Sequence, residues 1–147
     1  MAITSNVHAP ARARDRHAGD LLLLAAPAAA IVAGIAAEWL DFRALRYPIL
    51  LMMLAGVTAT AYACTGGRGG WRSFVAALAI GVASWAAAET LYVVLHAAQG
   101  ERFDGERFGP QWWQALGLIA VHALVLGAPT GAVAGGLLQA IAFTRRR

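Results

Sequence analysis

Residues 25–37 read AAPAAAIVAGIAA, and residues 49–61 read ILLMMLAGVTATA. In both stretches every direction around a helix is apolar or small. A helix of a soluble bundle keeps a polar stripe for water, and neither stretch has one. Hydrophobic residues make up 59% of the chain and charged residues 14%, against about 45–50% and about 25% in soluble domains. A chain of 147 residues has too small an interior to hide that surplus, so lipid or a partner must receive it.

Working outward, the two stretches belong to four apolar runs. The first is Leu21 to Leu40, interrupted only by Glu38. The second, Tyr47 to Cys64, carries no charge. The third, Phe74 to Ala97, carries Glu89 and His96. The fourth, Ala115 to Phe143, carries His122 and Gln139. Each has at least about 18 residues, enough to cross a hydrocarbon core about 30 Å thick at 1.5 Å per residue. The expected fold is an all-α integral membrane protein, a four-transmembrane-helix bundle. A basic tail over residues 1–19 precedes a membrane domain over 20–147. The first run, preceded by Arg12, Arg14 and Arg16, is longer than the apolar part of a signal peptide and reads as a retained helix.

Sidedness follows from arginine, since all twelve basic residues are Arg. Arg12, Arg14, Arg16, Arg68, Arg72, Arg145, Arg146 and Arg147 fall on one side, which is eight. Arg43, Arg46, Arg102 and Arg107 fall on the other, which is four. The richer side is cytoplasmic by the positive-inside rule, placing both termini inside a cell (inner, cytoplasmic) membrane. The net charge of +4 is therefore a topology signal. No basic stripe interleaved with aromatics points to nucleic acid.

The loops between the runs carry little chemistry. Asp41 to Arg46 is short, so the first two helices are antiparallel neighbours, with Pro48 expected in the first turn of the second. Thr65 to Arg72 holds four glycines but lacks the Lys and Ser/Thr of a phosphate loop. It reads as a flexible turn anchored by Trp71. The third loop repeats Glu101-Arg102-Phe103 as Glu106-Arg107-Phe108 and leads into Trp112 and Trp113. Phe103, Phe108, Trp112 and Trp113 read as an interfacial belt or a docking surface. Cys64 stands alone, with no Cys/His cluster to hold a metal.

In the fourth helix Gly127, Gly131 and Gly135 recur every four residues, a spacing that lets helix backbones approach in lipid. Pro129 between them removes a backbone donor and predicts a kink. The first helix offers small faces through Ala26, Ala30 and Gly34, or Ala29, Ala33 and Ala37. At about 100° per residue, Gly127 and Gly131 lie roughly 140° and 180° around the helix from His122. The glycine face is then expected to meet helix one or another polypeptide.

Glu89 is the most informative residue. A carboxylate within the hydrocarbon costs on the order of 2.5–3.5 kcal/mol and calls for a partner. Gly81, Trp85, Glu89, Tyr92 and His96 share one face of helix three. Glu89 lies about 12 Å below the end of its helix, and His122 lies at a similar depth across one antiparallel connection. The expected site is a Glu89–His122 pair, with Tyr92 as a third member and His96 nearer the surface.

Such a pair can fix helix register, relay protons or solute, or let His122 or His96 ligate a pigment or haem; Leu118, one turn before His122, would crowd a macrocycle. No nucleophile–base pair or metal box points to an enzyme, and no cofactor is predicted. The leading reading is a small non-catalytic subunit of a larger membrane complex, contacting other subunits or itself through the glycine face, the aromatic loop and the basic termini. The alternative is a small oligomeric transporter or proton-conducting protein using Glu89 and His122.

Overall fold

The computed structural model describes residues 17–39, 42–99 and 112–145. The regular elements among them are all helical. Four helices are long and apolar enough to cross a bilayer: His17–Trp39, Arg46–Thr65, Trp71–Ala98 and Gln114–Thr144. We number the regular segments α1 (Ala25–Trp39), α2 (Phe42–Thr65), α3 (Trp71–Ala98), α4 (Trp112–His122) and α5 (Ala128–Thr144). A π turn over Ala123–Gly127 joins α4 to α5, so these form one rod. Leu51, Leu124, Val125, Val133 and Phe143 all point outward and largely exposed, as side chains facing lipid do.

The helices outrun the apolar runs at several ends. Helical backbone is already present at His17, the first described residue, inside the stretch read as a tail. The expected loop from Asp41 to Arg46 is helical from Phe42 onward, so Pro48 lies inside α2 and not in its first turn. Hydropathy marks where lipid ends, whereas helical hydrogen bonding continues into the interface through good formers such as Ala44, Leu45 and Arg46. Phe103 and Phe108 lie outside the described residues. Trp112 and Trp113 form the start of α4, where only the backbone is described.

Helix α3 is the hub and touches every other element. α2 touches α1, α3 and α5, and among the described residues the backbone of α1 makes no close approach to the fourth rod. The small residues explain this order. A Cβ added at Gly34 of α1 would lie 2.8 Å from the Ala88 carbonyl oxygen of α3. One added at Gly56 of α2 would lie 2.8 Å from the Ala25 carbonyl oxygen.

The glycine face of the fourth rod is likewise spent within the chain. Cβ atoms at Gly127 and Gly131 would lie 2.7 Å from Val82 Cα and 2.6 Å from Leu78 Cα, and one at Gly135 would meet the Phe74 ring at 2.6 Å. The face therefore meets α3, neither helix one nor another polypeptide. The reason is the π turn. Its wider hydrogen bonding inserts one extra residue between His122 and Gly127. That takes back about 100° of rotation and brings the two within about 40° of one another. Pro129, expected to kink the rod, sits just after this turn, at the start of α5. Its ring presses on the carbonyl four residues earlier, and the wider turn gives that carbonyl room.

A second irregularity falls at Leu24, where the helical run from His17 is interrupted before α1. Pro27 has no N–H to offer the carbonyl of Leu23. Thr60 of α2 answers from across the bundle. Its hydroxyl donates to the Leu22 carbonyl at 3.1 Å, with that of Leu23 at 3.5 Å, and accepts from the Ala26 N–H at 2.9 Å. Such rescue by a neighbouring Ser or Thr is what lets a broken helix exist in lipid.

The α2–α3 turn is held by the end of α5. Gly66 and Gly67 adopt φ of 61° and 67°, left-handed backbone that favours glycine. The Gln139 carboxamide brackets Gly70, accepting from its N–H at 2.9 Å and donating to its carbonyl at 2.7 Å. Arg145 donates to the Tyr62 hydroxyl at 2.5 Å and lies over its ring. The turn read from sequence as loose is clasped by side chains of the fourth rod, while Trp71, its expected anchor, is largely exposed and stacks on Phe74.

Candidate functional site: a cleft between α1 and α4

The bundle has two unlike halves. Towards the chain termini, Val57, Ala61, Ala77, Ala134 and Leu138 form a buried apolar core, and the glycine contacts bring α3 and α5 together at backbone distance. Towards the opposite end, the close backbone approaches of α4 among the described residues are to α3 and the π turn. A cleft of ≈ 350 Å³ lies between α1 and α4. Its lining is mostly small and apolar: Ala33, Gly34 and Ala37 of α1, Ile49 of α2, Ala88 of α3 and Leu118 of α4. The polar groups in it are Glu89 and Tyr92 of α3 and His122 of α4, with Trp85 beside them.

Glu89 and His122 meet there. His122 Nδ1 stands 3.0 Å from Glu89 Oε1, with the carboxylate side chain 17% exposed and the imidazole 39%. Nδ1 is buried and has no hydrogen bond of ordinary geometry. The contact is thus a close approach of two ionisable groups, not a linear hydrogen bond. An α-helical ridge places Glu89 over the cleft, and the π turn directly after His122 sets that ring against α3.

Trp85 closes the bottom. It is buried, and its indole N–H donates to Thr130 Oγ1 at 3.1 Å. The Thr130 hydroxyl in turn donates to the Leu126 carbonyl at 2.7 Å. A buried indole needs such an acceptor, and Thr130 provides it next to the π turn.

Above the cleft lies a second pair that the sequence did not announce. Glu38, near the end of α1, has its side chain 3% exposed, with Oε2 3.3 Å from His96 Nδ1. Its Oε1 accepts from Gln99 Nε2 at 2.7 Å. Tyr92 joins this upper group as well as the cleft, because its hydroxyl lies 2.9 Å from His96 Nε2. Both ring nitrogens of His96 therefore face protein atoms. In the sequence Glu38 stands only as the interruption of the first apolar run. The signal that would have found it is depth: Glu38 and His96 both lie within one turn of the C-terminal ends of their helices.

Glu89, Tyr92, His96 and Gln99 thus run up one ridge of α3 in steps of three and four residues. Glu38 and His122 approach that ridge from opposite sides. Seven residues separate Glu89 from His96, about 10 Å along the axis. Chemically the arrangement offers two carboxylates, two imidazoles and two aromatic rings in the half of the bundle that contains the cleft. Arg and Lys are absent from the cleft lining. Among the described residues no group of three His, Cys, Asp or Glu side chains is placed to hold a metal ion. Compared with known proteins, the chain matches no family model, no curated protein and no solved structure.

Proposed function

We propose that this chain is a small multi-pass membrane carrier that binds a solute in the cleft between α1 and α4, with Glu89 and His122 as its polar contacts. The observation that carries the reading is the Glu89–His122 pair at 3.0 Å, facing an apolar cleft of ≈ 350 Å³. Small-molecule sites are mostly apolar cavities of about 300–1,000 Å³ with a few convergent polar groups. A pair serving only to fix helix register needs no such space beside it. Passive proton conduction fits less well, because buried apolar side chains fill the half of the bundle nearer the termini below Trp85.

The glycine face, one of the contacts expected of a subunit of a larger complex, is covered by α3. The carrier lies in the cell membrane with both termini cytoplasmic, as the eight-to-four arginine distribution favours. The cleft then faces the outer half of the bilayer.

The test has two stages. The protein is purified in mild detergent, and the small molecules retained with it are identified by mass spectrometry. Uptake of the retained solute is then measured in proteoliposomes. The carrier reading expects a retained solute and uptake that Glu89→Gln abolishes without loss of helical content. It falls if the protein carries no solute, or if uptake survives when the cleft is filled by Ala37→Trp.

A further inference from the structure

Resting on the carrier reading, we infer that the solute is a small lipophilic organic cation, bound with its positive charge beside Glu89 and its apolar body against Trp85, Ala88 and Leu118. The argument is one of charge and surface. The cleft lining contains a carboxylate, Glu89, and a second carboxylate, Glu38, stands directly above it in the group that shares Tyr92. The lining has no Arg or Lys to balance Glu89. Among the described residues of the lining, the basic side chain beside Glu89 is the imidazole of His122. That ring is the more exposed member of the pair, and its approach lacks the alignment of a hydrogen bond. A ligand cation can take the place beside Oε1 that His122 now occupies.

The rest of the lining selects what carries the charge. Apart from Glu89, His122 and the hydroxyl of Tyr92, the walls are Ala, Gly, Ile, Leu and Trp. They offer few hydrogen bonds to a sugar, an amino acid or a hydrated metal ion. Aromatic faces attract ammonium groups, most strongly where water is excluded, and Trp85 and Tyr92 flank Glu89 on the same ridge. An anion would instead meet Glu89 with Glu38 above it. The volume limits the ligand to something near one aromatic ring with a compact charged head.

The experiment uses the full chain in dodecyl maltoside and three probes of similar size: benzyltrimethylammonium, its uncharged isostere neopentylbenzene, and the anion benzenesulfonate. Binding is followed by isothermal titration calorimetry. The cation is expected to bind at one site per chain, at least tenfold more tightly than either of the others. Glu89→Gln should weaken it at least tenfold and leave neopentylbenzene unchanged, whereas Glu89→Asp retains the preference and guards against a folding artefact. If the neutral isostere binds as well as the cation, or the anion binds best, the cleft is a binding site but the cation assignment is wrong. If none of the three binds, the cation assignment and the carrier reading fall together.

Discussion

Replacing Gly131 by alanine adds one methyl group where α3 and α5 cross at backbone distance. Its Cβ would stand 2.6 Å from Leu78 Cα and 2.7 Å from the Ala77 carbonyl oxygen. Carbon atoms in contact rest about 3.5–4.0 Å apart, so α3 and α5 must separate locally by about 1 Å. Both obstacles are backbone atoms, so no side chain can rotate away. A gap of about 0.5–1 Å forfeits a quarter to a half of each dispersion contact it opens, and overpacking costs about 1–3 kcal/mol. In lipid, where close packing replaces the hydrophobic drive between helices, the upper part of that range applies.

Alanine is also a better helix former than glycine by up to about 1 kcal/mol, which would mask part of the loss. Gly136 supplies the control, because a Cβ there meets nothing within 4 Å. The stability of Gly131→Ala should fall below that of Gly136→Ala by about 2–3 kcal/mol, roughly a 30- to 140-fold change in the folding equilibrium. Titration of dodecyl maltoside micelles with SDS, followed by circular dichroism and tryptophan fluorescence, measures both. Equal stability within about 0.5 kcal/mol would refute the claim that the fourth rod seats its glycines on α3.

Thr60→Val removes the partner of the Ala26 N–H and the Leu22 carbonyl and should cost about 1–3 kcal/mol. Thr60→Ser should restore most of it, and faster exchange of the Ala26 amide in the Val variant is the local readout. His122→Leu strands Glu89. The loss should be about 1–2 kcal/mol, below the roughly 3–5 kcal/mol of a fully buried pair because the imidazole is 39% exposed. The double variant Glu89→Gln, His122→Leu should recover most of that loss, and SDS titration decides. Gln139→Leu should free the α2–α3 turn, at about 1 kcal/mol and with faster exchange at Gly70. Cys64 is the only cysteine of the chain and is exposed near the end of α2. A membrane-impermeant maleimide should label it in inside-out vesicles and not in intact cells; the opposite pattern would invert the proposed topology.

The spans were legible because the stretches around Ala30 and Met53 leave no polar face, a property that needs no knowledge of neighbours. The approach of Glu89 to His122 was legible for a related reason. One short connection makes two helices antiparallel, and counting residues from it gives depth. Rotation about the helix axis was not legible past His122, because a single extra residue in the π turn changes the phase of everything after it. That is why the glycine face meets α3 and not the neighbour that even helical spacing from His122 predicts. The pairing of Glu38 was not legible because it meets α3, a helix that no single connection joins to α1. That of Thr60 was not legible because nothing in the composition of α2 tells which of its small polar side chains meets the carbonyls around Leu23.

Thr60 also bears on the order in which the molecule can be built. The segment around Leu23 is synthesised before α2, so its carbonyls go unanswered until a hydroxyl some 35 residues later has been made. Until then that helix is an incomplete piece of structure. The smallest unit with these backbone groups answered is the hairpin of α1 and α2 together with the helical residues before α1.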